Sequence, residues 1–167
     1  MWFISPILYM GFVKCAEYIN IPFQRQLRRL NNIALSVFSA GLCAMSANEI
    51  YNQTDELSLH PFVCKIYDET SSLYFIMYTF YLSKYWEWID TYFIVRSNKK
   101  VSNLHYYHHM STPVLSYVTT FHRGVTPSFI YACFLNTFVH TFMYWYYAFP
   151  DSKIRKCKKV ITRVQIF

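Results

Sequence analysis

The 167-residue chain sets 16 Lys and Arg against 9 Asp and Glu, a formal net charge of +7, yet only 15% of its residues are charged and 54% are hydrophobic. Soluble domains carry about 25% charged residues, so this balance argues against an ordinary soluble domain and for a membrane protein. The basic residues gather between apolar segments instead of forming one stripe, and no nucleic-acid-binding signature accompanies them, which argues against nucleic acid as a partner.

In chain order, the first apolar segment is 2–19, interrupted by Pro6, Lys14 and Glu17. No basic n-region or clear cleavage site marks it as a signal peptide. The second segment is 33–51, rich in Ala, Ser and Leu, and the third is 72–95, whose second half holds Lys84, Glu87 and Asp90. A fourth starts at a histidine cluster and runs through Phe121, and a fifth covers 128–149. From Gly124 to Pro150 there is no charged residue, a run longer than the roughly 20 residues that cross a bilayer core. A sixth segment begins near Val160 and is cut short at Phe167. The pattern predicts an all-α, polytopic transmembrane helix bundle with five complete spans. The cysteines at 15, 43, 64, 133 and 157 have no CxxC spacing and are expected to be packing residues.

Basic residues cluster in alternate connections: Arg25, Arg28 and Arg29; Arg96, Lys99 and Lys100; Lys153, Arg155, Lys156, Lys158 and Lys159. The positive-inside rule puts these three loops in the cytosol and the N-terminus outside or in a lumen. The sequon Asn52-Gln53-Thr54 falls in a loop on the other side, in agreement.

With that orientation, the polar residues inside the spans collect toward the cytosolic ends. Lys84, Glu87, Asp90 and Thr91 lie in the third span, and His105, His108 and His109 open the fourth. In the fifth, Asn136 precedes His140 by one turn and Tyr144 follows it by one turn. Ionisable groups in membrane helices are expensive and by default point to function. Plainer roles exist: Lys84 and Glu87 at i, i+3 can form a structural ion pair, His140 can be a hydrogen-bonded packing residue, and the whole layer can serve only to hold helices together. Two chemistries fit the cluster. Imidazoles at HxxHH spacing can hold iron or zinc, as in membrane desaturases and hydroxylases, although His60 and His122 fall in loops of the opposite side and leave a di-iron centre short of ligands. Alternatively, a neutral imidazole can act as nucleophile or base toward an activated acyl group, with the basic rim suited to an anionic carrier.

Three stretches together carry a resemblance: "KYWEWIDT" (84–91) as KxxExxDT, "HYYHH" (105–109) as HxxHH, and "NTFVHTFMYWYY" (136–147) as NxxxHxxMYxYY. In order and spacing they resemble the ELO family of very-long-chain fatty acid elongases, the 3-ketoacyl-CoA synthases of the endoplasmic reticulum. "TRVQ" (162–165) resembles the start of the family's next motif, and residues 1–70 resemble it only in span pattern. The resemblance implies an acyltransferase of fatty acid biosynthesis that condenses acyl-CoA with malonyl-CoA, releasing CO2 and CoA, in a seven-helix bundle around an acyl tunnel. By analogy with the family, His108 carries the acyl group as an acyl-imidazole. His105, His109 and His140 position or polarise the reacting groups, and Lys84, Glu87, Asp90, Asn136 and Tyr144 complete the polar layer. Arg96, Lys99 and Lys100 are the candidates for CoA phosphates, from charge and side alone. No metal and no bound cofactor are expected. Expected partners are membrane lipid, the two CoA substrates and the other enzymes of the elongation cycle. The chain is expected to be a single elongase-type transmembrane domain, residues 1–167, incomplete within its sixth span and unable to work alone. The alternative is a metal-dependent membrane desaturase or hydroxylase.

Overall fold

A computed structural model describes residues 4–52, 71–122 and 124–150. Those residues form an all-α protein with six α-helices: α1 (Ile4–Ala16), α2 (Gln24–Asn52), α3 (Ser72–Trp86), α4 (Trp88–Arg96), α5 (Asn103–Tyr117) and α6 (Pro127–Ala148). A π-helical turn, Val118–His122, prolongs α5. The expected sixth segment, the third basic cluster and most of the 49–69 loop with its sequon threonine lie outside the described residues.

Sequence expectation and structure agree on where the helices lie, with three differences. Helix α2 begins at Gln24, so Arg25, Arg28 and Arg29, expected in a connecting loop, lie in its first turns. The first segment folds into only 13 described residues, below the roughly 20 that cross a bilayer. The third is divided at Glu87, where Asp90 N–H bonds to the Glu87 carbonyl in the tighter i→i+3 pattern. Among the described helices, α2 alone combines sufficient length and apolar composition to cross a membrane on those criteria. The 22-residue α6 is long enough but mixes His, Asn, Tyr and Trp into its apolar run.

The distribution of polarity fits lipid as the surrounding solvent. Buried positions include Ser5, Asn32, Ser36, Ser39, Ser46, Ser83, Lys84, Glu87, Thr91, His109 and His140, while Ile7, Leu8, Val37, Phe75, Leu82, Leu115 and Phe138 are exposed. Small and hydrogen-bonding residues at helix contacts, with apolar side chains outside, are the pattern of helices packed in a bilayer.

The chain divides into two compact units, one from residues 1–24 and 68–125, the other from 25–67 and 126–167. In the first, α5 packs on α3 and α1, and α1 also packs on α4. Ala16, Tyr92 and Phe93 form a small core there, with Phe12 and Val95 packed against it. The Tyr92 hydroxyl accepts from Ile21 N–H at 3.2 Å, tying α4 to the chain leaving α1. The turn from α4 to α5 passes through Asn98 at φ 53°, a left-handed position that asparagine tolerates better than most residues.

In the second unit, Asn32, Leu35, Ser36, Ser39, Leu42 and Ser46 recur at three- and four-residue steps as the buried stripe of α2. Ser36 Oγ donates to the Thr141 carbonyl of α6 at 2.8 Å, and Ser46 Oγ donates to Cys133 Sγ at 3.6 Å. The Arg29 guanidinium lies 4.8 Å from the Phe149 ring centroid, a cation–π contact between the start of α2 and the end of α6. Pro127 begins α6 at a position where its missing N–H costs nothing.

Candidate active site

Ser102 determines where the histidine cluster starts. Its side chain accepts from the His105 N–H at 3.2 Å as the N-cap of α5, satisfying one of the donors a helix start leaves unpaired. His105 and His109, one turn apart, then point the same way, with ring centroids 4.1 Å apart. His109 is 6% exposed, and its Nδ1 has no hydrogen-bond partner among the described residues. His108 falls beside them, half-buried, its ring edge-on to His109 at 5.6 Å. Of the three imidazoles, His105 is engaged through Nε2, His109 is buried, and His108 is half-buried with a ring nitrogen within 4.8 Å of a Glu87 carboxylate oxygen.

Tyr9 of α1 covers this pair. It is fully buried, with its ring 6.3 Å from His109 and nearly parallel at 16°, and packed tilted on Trp88 and Tyr106. Its hydroxyl lies 3.0 Å from Thr91 Oγ1, and Thr91 Oγ1 lies 2.9 Å from His105 Nε2. Neither the charge pattern nor the motifs singled out Tyr9. Nothing local marks it out, since Trp2, Phe3 and Phe12 are aromatic neighbours in the same apolar stretch.

Pro113 lies within α5 and is fully buried. Proline has no N–H, so the His109 carbonyl one turn earlier loses its helical partner. Trp88 supplies the replacement: its indole N–H donates to the His109 carbonyl at 3.0 Å. The KxxExxDT helix and the histidine helix are thus joined by a bond that depends on the proline. Trp88→Phe is expected to cost about 1–3 kcal/mol through the unsatisfied carbonyl. Pro113→Ala, which restores a backbone donor, is expected to cost less in the Trp88→Phe background than in the native chain. Unfolding measurements on the four chains of that double-mutant cycle check this, and strict additivity would count against it.

Below the histidines, Lys84 Nζ and Glu87 Oε1 are 2.7 Å apart and nearly inaccessible, at 1% and 3% exposure. The Lys84 ammonium also sits 4.1 Å from the Phe80 ring centroid. The expected i, i+3 pair is therefore present. Asp90 is half-buried in the first turn of α4, where the helix dipole favours a carboxylate.

His140, Asn136 and Tyr144 belong to the second unit. His140 is buried and lies edge-on to the buried Tyr144, with centroids 5.4 Å apart, while Asn136 is half-buried one turn earlier. Of the expected CoA contacts, Lys99 and Lys100 are exposed, whereas Arg96 is half-buried and donates through Nη1 to the Glu17 carbonyl at 3.0 Å. Arg96 therefore has a structural contact beside any role in binding.

The π-turn was not legible in the sequence. It carries Phe121 into a set of tyrosines on α3, with centroids 6.1 Å from Tyr74, 6.0 Å from Tyr78 and 5.6 Å from Tyr81. Thr119 and Thr120 hydroxyls both donate to the Ser116 carbonyl, at 3.0 and 2.7 Å, where the helical ladder changes pitch.

Comparison with known proteins agrees with the motifs. Putative fatty acid elongase 1 of Schizosaccharomyces pombe is 33% identical over 144 residues, covering 86% of this chain and 42% of that protein. Long chain fatty acid elongase 1 of Caenorhabditis elegans is 30% identical over 171 residues, 97% of this chain and 58% of that protein. Putative fatty acid elongase 2 of S. pombe is 34% identical over 139 residues, 81% and 37% respectively. The chain thus spans about half the length of the curated relatives it matches. No solved structure matches. The profile described as "ELO: GNS1/SUR4 family" matches residues 2–167, nearly the whole chain. By that match, and by relatives named as elongases, the chain belongs to the ELO (GNS1/SUR4) family.

Proposed function

We infer that the chain provides the histidine centre of a membrane fatty acid elongase of the endoplasmic reticulum, joining an acyl-CoA to malonyl-CoA to give a 3-ketoacyl-CoA. The observation that carries this reading is the division of labour within the cluster. His105 is engaged with Thr91, His109 is buried, and His108 is half-buried with a ring nitrogen within 4.8 Å of a carboxylate oxygen of Glu87, the buried partner of Lys84. In the proposed chemistry, a ring nitrogen of His108 attacks the thioester carbonyl and the C–S bond breaks, CoA leaving as a thiolate that takes up a proton. Malonyl-CoA then loses CO2, and the electron pair of that C–C bond stays on its α-carbon. The α-carbon attacks the acyl-imidazole carbonyl, the C–N bond breaks, and His108 returns neutral. An acyl-imidazole divides one difficult condensation into two easier substitutions. Exposed Lys99 and Lys100 are suited to CoA phosphates.

The test is to reconstitute the chain in lipid vesicles, alone and joined to the C-terminal remainder of a full-length elongase relative, with long-chain acyl-CoAs and malonyl-CoA labelled at the methylene carbon; the joined form decides the reading. The expected product is a labelled 3-ketoacyl-CoA two carbons longer than the acyl donor, with one CO2 released per product. Label recovered only in unconverted malonyl-CoA would overturn the reading, as would oxygen-dependent desaturation of the acyl chain by iron-loaded protein.

A further inference from the structure

The hydrogen bonds around His105 determine which of its nitrogens carries the proton. Tyr9 and Thr91 are both fully buried, so water cannot complete their hydrogen bonding. Among the described residues, the Tyr9 hydroxyl meets only Thr91 Oγ1, and Thr91 Oγ1 meets only Tyr9 and His105 Nε2. Each hydroxyl has one proton to give. If His105 Nε2 carried a hydrogen, it would donate to Thr91, Thr91 would donate to Tyr9, and the Tyr9 proton would be left in the interior with no acceptor. A buried donor left without an acceptor is costly, because its hydrogen bond to water is lost and not replaced. Running the other way, Tyr9 donates to Thr91, Thr91 donates to His105 Nε2, and every proton in the chain is used.

The geometry points to Tyr9 and Thr91 as positioning residues that hold neutral His105 in the tautomer with Nε2 bare and the proton on Nδ1. The ring's one remaining polar edge is then an N–H. In that state His105 can donate a hydrogen bond to a carbonyl oxygen, but it can neither attack a thioester nor accept a proton. This assignment rests on the proposed condensation and refines it: His108 is the nucleophile, and His105 is a donor to the oxygen on which negative charge collects as the thioester carbonyl is attacked. Helix α1 thereby joins the site through a tyrosine 82 positions from its hydrogen-bond partner.

The tautomer can be read without any turnover. In the chain carrying ring-15N histidine, in lipid bilayers at neutral pH, solid-state NMR distinguishes bare from protonated ring nitrogens, and a His105→Gln spectrum assigns the signals. The expected result is a bare Nε2 and a protonated Nδ1 for His105. Thr91→Val is expected to broaden this into two tautomers, and Thr91→Ser to restore one. In the condensation assay, Thr91→Val is expected to lower kcat about tenfold, the worth of one hydrogen bond. KM for acyl-CoA should change little, Tyr9→Phe should have a smaller effect, and Thr91→Ser should recover the rate. A protonated Nε2 in the native chain would overturn the inference, as would an unchanged His105 spectrum in Thr91→Val. A native chain that shows the expected tautomer but forms no 3-ketoacyl-CoA would refute the condensation reading and leave the tautomer assignment standing.

Discussion

Glu87→Ala is expected to destabilise the protein by roughly 3–5 kcal/mol, the usual cost of stranding one partner of a buried ion pair. The reason lies in what remains. Lys84 is 1% exposed and its ammonium is 2.7 Å from the carboxylate. With the carboxylate gone, the Phe80 ring still lies 4.1 Å from that charge, and a cation–π contact is worth about 2 kcal/mol or more when desolvated. Losing Glu87 removes the carboxylate that balances this buried charge at 2.7 Å. The decisive comparison is the double variant Lys84→Met with Glu87→Leu, which removes both charges while keeping apolar volume. It is expected to recover most of the lost stability and none of any activity that uses the polar layer. Thermal unfolding of the three variants in detergent checks the first part. A single variant as stable as the native chain would show that the pair is not the charge-compensating unit described here.

How much of this was open to sequence reasoning depends on the distance over which each contact acts. Helix positions followed from local pattern, and the Lys84–Glu87 pair from i, i+3 spacing, because both are decided within a few residues. The grouping of His105 with His109 followed from helical periodicity in the same way. Tyr9 is different: its partners lie on α4 and α5, and no local pattern in 4–16 distinguishes it from the other exposed and buried members of that helix. The Trp88–His109 bond is intermediate. Pro113 advertises a carbonyl in need of a donor, but only the packing of α4 on the histidine helix says which residue provides it. The break at Glu87 and the π-turn at 118–122 were also hidden, since no Pro or Gly falls at 84–91 or 118–122 to mark a change of helical pitch.

Finally, His108→Ala is expected to reduce condensation by at least about a thousandfold, the scale seen when a catalytic nucleophile is removed, with little loss of stability. The two effects separate because of where the ring lies. His108 is half-buried, so truncating it removes little packed surface, whereas His109 at 6% exposure supports the Tyr9 ring and its loss would disturb the fold. The acyl group itself gives a sharper readout than the rate. Rapid quenching after mixing with acyl-CoA alone, then mass spectrometry, is expected to find the acyl mass on the peptide that contains residue 108. Thiols need to be blocked beforehand, since Cys15, Cys43 and Cys133 are not in disulfides and a thiol can also take an acyl group by exchange. His108→Ala should lose the adduct, while Thr91→Val should retain it but form it more slowly, because its effect is on the donor and leaves the nucleophile in place. An acyl mass on the peptide containing His140, or on a cysteine that escapes blocking, would move the nucleophile elsewhere. Full condensation by His108→Ala would remove the acyl-imidazole step altogether and require direct attack of the malonyl-derived carbanion on the thioester.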